Sequence, residues 1–262
     1  MFQQKIIGIN IDIVTFDKAL ELIESYIKEP KFHLITTTNP EFILEAQSDQ
    51  HFKEILNHAD LSLPDGVGVL MASSYLNHAA QTKPGLLRPL KLFLTGLKVG
   101  FLEKLPERIG GADFFNQLIG LANSGSLRIG LLGGEEYSGK NVCDLVKTKL
   151  TAQHPDLKIV YCSREPSDEA FTTPIDFLFV AFGHPKQEKW LWENKDRLSK
   201  VKIGMGVGGT FDFIVGKRRR APELVQRIKL EWLWRFFSEP SRFRRIFNAY
   251  PRFPLKVFLS SL

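Results

Sequence analysis

Three short polar clusters hold the residue types that acid–base and phosphate chemistry need. They are Thr37-Thr38-Asn39, Pro64-Asp65-Gly66 and the run Gly183 to Glu188 (GHPKQE), with the glycine-rich stretch Gly206-Val207-Gly208-Gly209 beside them. Asp65 is the best candidate for a general base, because an Asp before Gly at a strand end can sit in a crevice with its oxygens toward a ligand. The same dipeptide is also the usual Asx turn that caps a following helix, so the local sequence admits both readings. Thr37 can donate to a substrate oxygen or simply end a strand. Asn39 can bind a ligand or cap a helix. Lys186 can meet a phosphate or stand in solvent, and Gln187 and Glu188 begin a helix from which they can hydrogen-bond a sugar or a base. His184 has no decided role. Glycines at 206, 208 and 209 let the backbone approach a ligand closely and leave N–H groups for an anion, and Asp212 follows them.

Other patterns are formal or absent. The stretch GMGVGG (Gly204–Gly209) satisfies the spacing G-x-G-x-x-G. The dinucleotide fingerprint belongs to a first βαβ unit, however, and this stretch stands in the last one, before a basic segment. Neither a Walker pattern nor an Asp-x-Asp pair occurs. No cofactor or bound metal is therefore expected, and a diphosphate would be neutralised by Lys, Arg and backbone N–H groups.

The charge is unevenly distributed. Residues 217–262 hold 12 Lys/Arg against three Glu, whereas residues 1–216 hold 23 against 26, so the net +6 of the 262-residue chain arises in the tail. Arg227, Glu231 and Arg235 fall at i, i+4 and i+8, one face of a helix, and Arg242 and Arg245 follow at spacings of seven and three. Trp232, Trp234, Phe236, Phe237 and Phe243 are interleaved with them. Such a tail suits an anionic membrane surface. It also suits a helix packed on the body, or a nucleic-acid-binding module.

These clusters need elements to position them. Strands are expected at Lys5–Val14, Phe32–Thr36, Leu61–Pro64, Leu127–Leu132, Lys158–Tyr161, Asp176–Phe182 and Val201–Val207. Helices should start after Thr15 and Asn39, near Val67, at Gly110, directly after Gly133-Gly134, and at Gln187. Alternation of this kind gives an α/β fold with a Rossmann-like, mostly parallel sheet, whose ligands bind at the carboxyl ends of the strands. Residues 1–216 form the α/β body and 217–262 a basic, aromatic-rich helical appendage. The apolar-basic stretch Pro84–Pro106 breaks the rhythm and reads as a lid over the core or as an amphipathic hairpin on a bilayer. Cys143 and Cys162 lack metal-ligand spacing and read as reduced core residues. No signal peptide and no membrane-spanning run are expected.

Taken together, the blocks resemble the WecG/TagA/CpsF glycosyltransferases, glycosyltransferase family 26. The matching stretches are TTTNPEFILEA, ADLSLPDGVGVLMAS, RIGGADFF, RIGLLGG, DFLFVAFGHPKQEKW, GVGGTFDFIVGKRRRAP and LEWLWRFFSEPSRFRR, in order from Thr36 to Arg245. The resemblance implies the fold called GT-E and an inverting, metal-independent transfer from a UDP-sugar. The acceptor would be a sugar carried on undecaprenyl diphosphate, at the cytoplasmic face of the bacterial cell membrane. N-acetylmannosamine is the typical sugar, for teichoic acid or another surface polysaccharide; glucose and glucuronic acid for exopolysaccharide are the alternatives. It implies Asp65 as the base with Thr37 beside it, and Arg235, Arg242 and Arg245 as stabilisers of the departing UDP. Asn39, Gly66, Arg108, Gly133, Lys186, Gln187, Glu188, Gly206, Gly208, Gly209 and Asp212 would line the substrate pocket. Anionic lipid is the expected partner surface, nucleic acid is not expected, and a homo-oligomer is compatible with the pattern.

Overall fold

Runs that are apolar on both faces form the central sheet of the computed structural model, which describes residues 2–101, 108–217 and 251–262. The strands are β3 (His33–Thr38), β4 (Leu61–Pro64), β5 (Arg128–Gly133), β8 (Lys158–Ser163), β9 (Ile175–Ala181) and β10 (Val201–Gly206). All pair in parallel, in the order β4-β3-β10-β9-β5-β8. The fold is the α/β, Rossmann-like arrangement expected. Strand β9 shows why a continuous apolar run is needed. Phe177 and Phe179 enter the core under α1 (Phe16–Lys28), α6 (Gly111–Gly125) and α7 (Val142–Gln153). Leu178 and Val180 enter the opposite core, under α3 (Gln50–Asn57) and α9 (Lys186–Glu193). At the amino end of the sheet Asp176 accepts from the Arg128 guanidinium (2.9 Å twice) and from its backbone N–H (2.7 Å).

A third core lies beside the sheet. It joins an N-terminal hairpin, α2 (Pro40–Glu45), α4 (Val67–Gln81), α5 (Arg88–Phe101) and the last helix, α11 (Phe253–Ser260). Phe253 and Val257 of α11 are buried there, so the end of the chain is docked on the body.

Three local expectations are corrected. Lys5–Val14 is not one strand but a hairpin, β1 (Phe2–Ile6) with β2 (Ile9–Ile13), turned at Ile7 (φ 46°) and Gly8 (φ 81°) and separate from the main sheet. Two left-handed residues are what a tight two-residue hairpin turn demands. A second small hairpin, β6 (Glu136–Tyr137) with β7 (Lys140–Asn141), intervenes between Gly133-Gly134 and α7, whose start is capped by Asn141. Within Pro84–Pro106, the described part is not a hairpin. It is the single helix α5, laid along α4 and α11. The expected caps formed: Thr15 accepts from Lys18 N–H, and Asn39 from Glu41 and Phe42.

Candidate active site

Parallel pairing puts every strand's carboxyl end on one rim. Thr37, Asn39, Asp65, Gly66, Gly133, the Lys186–Glu188 run and Gly206–Gly209 therefore stand together along it, contributed by β3, β4, β5, β9 and β10. Convergence of this kind is what an open α/β sheet offers a ligand.

Asp65 is held by the strands beneath it. Its backbone N–H donates to the Thr38 carbonyl at 2.9 Å. One layer down, Thr36, Thr38 and Ser62 form a buried hydroxyl ladder, 3.2 Å from Thr36 to Thr38 and 2.8 Å from Thr38 to Ser62. The Ser62 N–H donates to the Asp12 carboxylate at 2.8 Å. Burial raises the Asp12 pKa, and the bonds from Ser62 and Gln3 only partly offset that. This ladder fixes β4 against β3 and hence the turn that carries Asp65. The residue at the N-cap position of α4 is Gly66, at φ 101°. A left-handed φ of this kind favours glycine.

Thr37 points to the other face of the sheet. A Cβ on Gly111 would lie 3.2 Å from its hydroxyl, so the RIGG turn that begins α6 rests against Thr37. Arg108 of that turn reaches Asp113 across Gly110, at 3.8 Å. Asn39 Oδ1 caps α2, accepting at 2.9 and 3.1 Å.

The glycine-rich side is organised differently from expectation. Gln187 and Glu188 are buried, and their bonds go to protein. Gln187 Oε1 accepts from the N–H of Gly183 (3.1 Å) and of Gly208 (3.0 Å), tying the loop after β9 to the loop after β10. Gln187 Nε2 donates to Glu188 Oε1 at 2.7 Å, which fixes the amide's orientation. The Gly208 N–H, expected to await an anion, is thus engaged by this brace. Gly206 serves it too, because a Cβ there would collide with both side chains. Desolvation pushes Glu188 up to about 7, against bonds that favour the ionised form, and its Oε2 is buried without a partner among the described residues. The sequence contained the signal, a Gln-Glu pair after a strand facing a glycine in the next strand, but not the pairing that brings them together.

The remaining positions are placed as follows. Lys186 is exposed at the start of α9, and His184 packs on Phe42 with ring centroids 5.0 Å apart. Gly133 turns at φ 96° with Phe182 against it. Asp212, in α10 (Thr210–Val215), pairs with Lys217 at 3.7 Å, and Lys217 also reaches Glu135 at 3.2 Å. Arg235, Arg242 and Arg245 lie outside the described residues. Among the described residues no group of three His, Cys, Asp or Glu could hold a metal ion. Gly204 and Gly206 of the formal dinucleotide fingerprint are strand residues. Their missing side chains make room for Phe32 and Leu191, and for the Gln187–Glu188 pair.

A parallel α/β sheet with an Asp, a Thr and glycine turns on its carboxyl rim is compatible with many transferases, and comparison narrows it. The family described as "Glycosyl transferase WecG/TagA/CpsF family" matches residues 4–86 and 94–262. The chain belongs to that family and is a glycosyltransferase. A Bacillus subtilis (strain 168) relative is 30% identical over 256 residues, covering 95% of this chain and 87% of its own. A Bacillus spizizenii relative is 28% identical over 247 residues, covering 92% and 84%. One from Staphylococcus aureus (strain MRSA252) is 24% identical over 261 residues, covering 96% and 91%. All three bear the name N-acetylglucosaminyldiphosphoundecaprenol N-acetyl-beta-D-mannosaminyltransferase.

Proposed function

We propose that this glycosyltransferase moves N-acetylmannosamine from a UDP-sugar to N-acetylglucosamine carried on undecaprenyl diphosphate, with Asp65 as the general base. The observation that carries the reading is Asp65 itself: it stands on the rim where the strands end, its backbone N–H bonded to the Thr38 carbonyl, in a chain 30% identical to an enzyme named for this transfer. The relatives' names specify a β linkage. From an α-configured nucleotide sugar this requires inversion, a single in-line displacement. Asp65 takes the proton of the acceptor hydroxyl as that oxygen bonds to the anomeric carbon. The bond from that carbon to the UDP oxygen breaks, and UDP leaves with the electron pair.

Thr37, with the RIGG turn and Arg108 behind it, is assigned to orienting the sugars. The departing diphosphate carries developing negative charge, and the sequence offers it no Asp-x-Asp pair for a metal. Arg235, Arg242 and Arg245 are assigned to stabilise it, with exposed Lys186 at the start of α9. Gln187, Glu188 and Gly206 serve to hold the two loops at that side of the pocket. Residues 1–216 would be the catalytic body and 217–262 an appendage that completes the site at the membrane. No helix among the described residues is long and apolar enough to cross a membrane, so the lipid-linked acceptor would be met from a peripheral position on the inner face. UDP release measured with a panel of UDP-sugars, each with and without lipid-linked N-acetylglucosamine, tests the reading. Release with UDP-N-acetylmannosamine that depends on the acceptor is expected. Release with another donor alone would overturn the sugar assignment.

A further inference from the structure

The helix α5 exposes the side of itself that an ordinary surface helix would bury. Leu92 and Val99 face α4 and the third core and are almost fully buried. At about 100° of turn per residue, Leu90, Phe93, Leu94 and Leu97 span an arc of roughly 100° directly opposite them. These four are 56%, 55%, 55% and 43% exposed, and Leu86 and Leu87 just before the helix are 97% and 61% exposed. Lys91 and Lys98 run along one flank of the arc. The helix α11 repeats the arrangement: Phe253 and Val257 are buried, while Leu255, Leu259 and Leu262 are more than half exposed in a stripe of spacing four and three. The two stripes are neighbours, since α5 touches α11 and Arg88 donates to the Leu262 carbonyl at 2.8 Å.

We propose that the joined outer faces of α5 and α11 are the surface on which this enzyme rests in an anionic bilayer. Charge selects that occupant. Residues 82–101 carry Lys83, Arg88, Lys91 and Lys98, residues 251–262 carry Arg252 and Lys256, and neither segment contains an Asp or Glu. Long basic side chains at the edge of an apolar stripe keep their ammonium groups at the headgroup level while their stems follow the hydrocarbon. Anionic lipid adds attraction that falls off within a Debye length. A second copy of the same face would instead bring like charges together with no acid to answer them.

The inference extends the reading that the acceptor sugar rides on a membrane lipid, and its test separates the two. The full chain and a triple variant, Leu90→Gln with Phe93→Gln and Leu94→Gln, are floated with vesicles of phosphatidylcholine plus phosphatidylglycerol, and of phosphatidylcholine alone. The parent should float with the anionic vesicles, and the variant should bind roughly tenfold more weakly or less. Its melting temperature and its UDP release with a water-soluble acceptor analogue should be unchanged. Undiminished flotation of the variant would overturn the proposal. So would a fall in melting temperature or in oligomer size, which would show the face to be covered by this chain or by a second copy. If no donor and acceptor pair releases UDP but the flotation result holds, the proposed reaction fails and the surface stands.

Discussion

Replacing Glu188 by glutamine should change how stability depends on pH more than it changes stability at any one pH. Glu188 is fully buried, with one oxygen accepting from Gln187 and the other without a partner among the described residues. Desolvation, the dominant influence, pushes it up from 4.5 to about 7. A carboxyl raised in this way binds its proton more tightly in the folded chain than in the unfolded one. Its favourable contribution is complete below about pH 4.5 and is lost as pH rises toward 7, where the unfolded chain is already ionised. The displacement is worth about 3 kcal/mol in all, of which about 2 to 3 kcal/mol falls between pH 5 and 8. Glutamine cannot ionise, so this slope should vanish, although its amide N–H₂ takes the place of the oxygen that lacks a partner among the described residues, and burying it costs about 1–3 kcal/mol at every pH. Urea unfolding of parent and variant at pH 5, 6, 7 and 8, compared as differences between the two proteins, isolates the effect. The parent should lose about 2 to 3 kcal/mol more than the variant across that range. Parallel curves would refute the picture of a dry carboxyl bracing the two loops.

Further predictions follow from single contacts. Gly206→Ala places a methyl group on the Gln187–Glu188 pair and should cost about 1–3 kcal/mol in thermal unfolding while lowering UDP release per folded molecule. Arg128→Ala leaves Asp176 without its clamp at the far end of the sheet. Because Arg128 is partly exposed the loss should be about 2 kcal/mol, with turnover per folded enzyme unchanged. Burial alone would raise the Asp176 pKa, but the Arg128 bonds outweigh it and hold the pKa below its ordinary 3.8, so this contribution is complete above that value and should be lost as pH falls below it, which urea unfolding at successively lower pH would follow. The Cys143 and Cys162 sulfurs lie 2.6 Å apart, so diamide, which takes up two electrons and two protons, should join them within one chain, seen as a mass loss of two hydrogens.

How far the sequence alone carried the fold depended on whether the deciding forces were local. Asn39-Pro40-Glu41 announced a helix start because the cap, the ring and the dipole all act within one turn, and α2 begins there. The all-buried strand β9 was legible from its unbroken apolar run, and the rim followed from the alternation of strands and helices. The Ile7-Gly8 turn was hidden because a β-branched residue at positive φ is unusual, so the stretch read as one strand. The loop brace was hidden for another reason. Gly208 is 21 residues from Gln187, and only the pairing of β9 with β10 makes them neighbours. With that pairing unknown, Gln187 looked available for a sugar and the Gly208 N–H for a phosphate. The apolar-basic character of residues 84–106 was legible, but not which side of α5 faces outward, because periodicity marks an apolar stripe without saying whether protein covers it; here Leu92 and Val99 are buried while Leu90, Phe93, Leu94 and Leu97 stand exposed.

The central claim is that Asp65 removes the acceptor proton. UDP release by Asp65→Asn, measured with UDP-N-acetylmannosamine and lipid-linked N-acetylglucosamine, tests it most directly. The variant keeps the size of the side chain, and Asn serves at a helix start as well as Asp does, so melting should match the parent. Turnover should fall by about 10²- to 10⁴-fold, the usual worth of a positioned base. A variant that melts like the parent and still turns over at near-parent rates would contradict the account and remove Asp65 from that role.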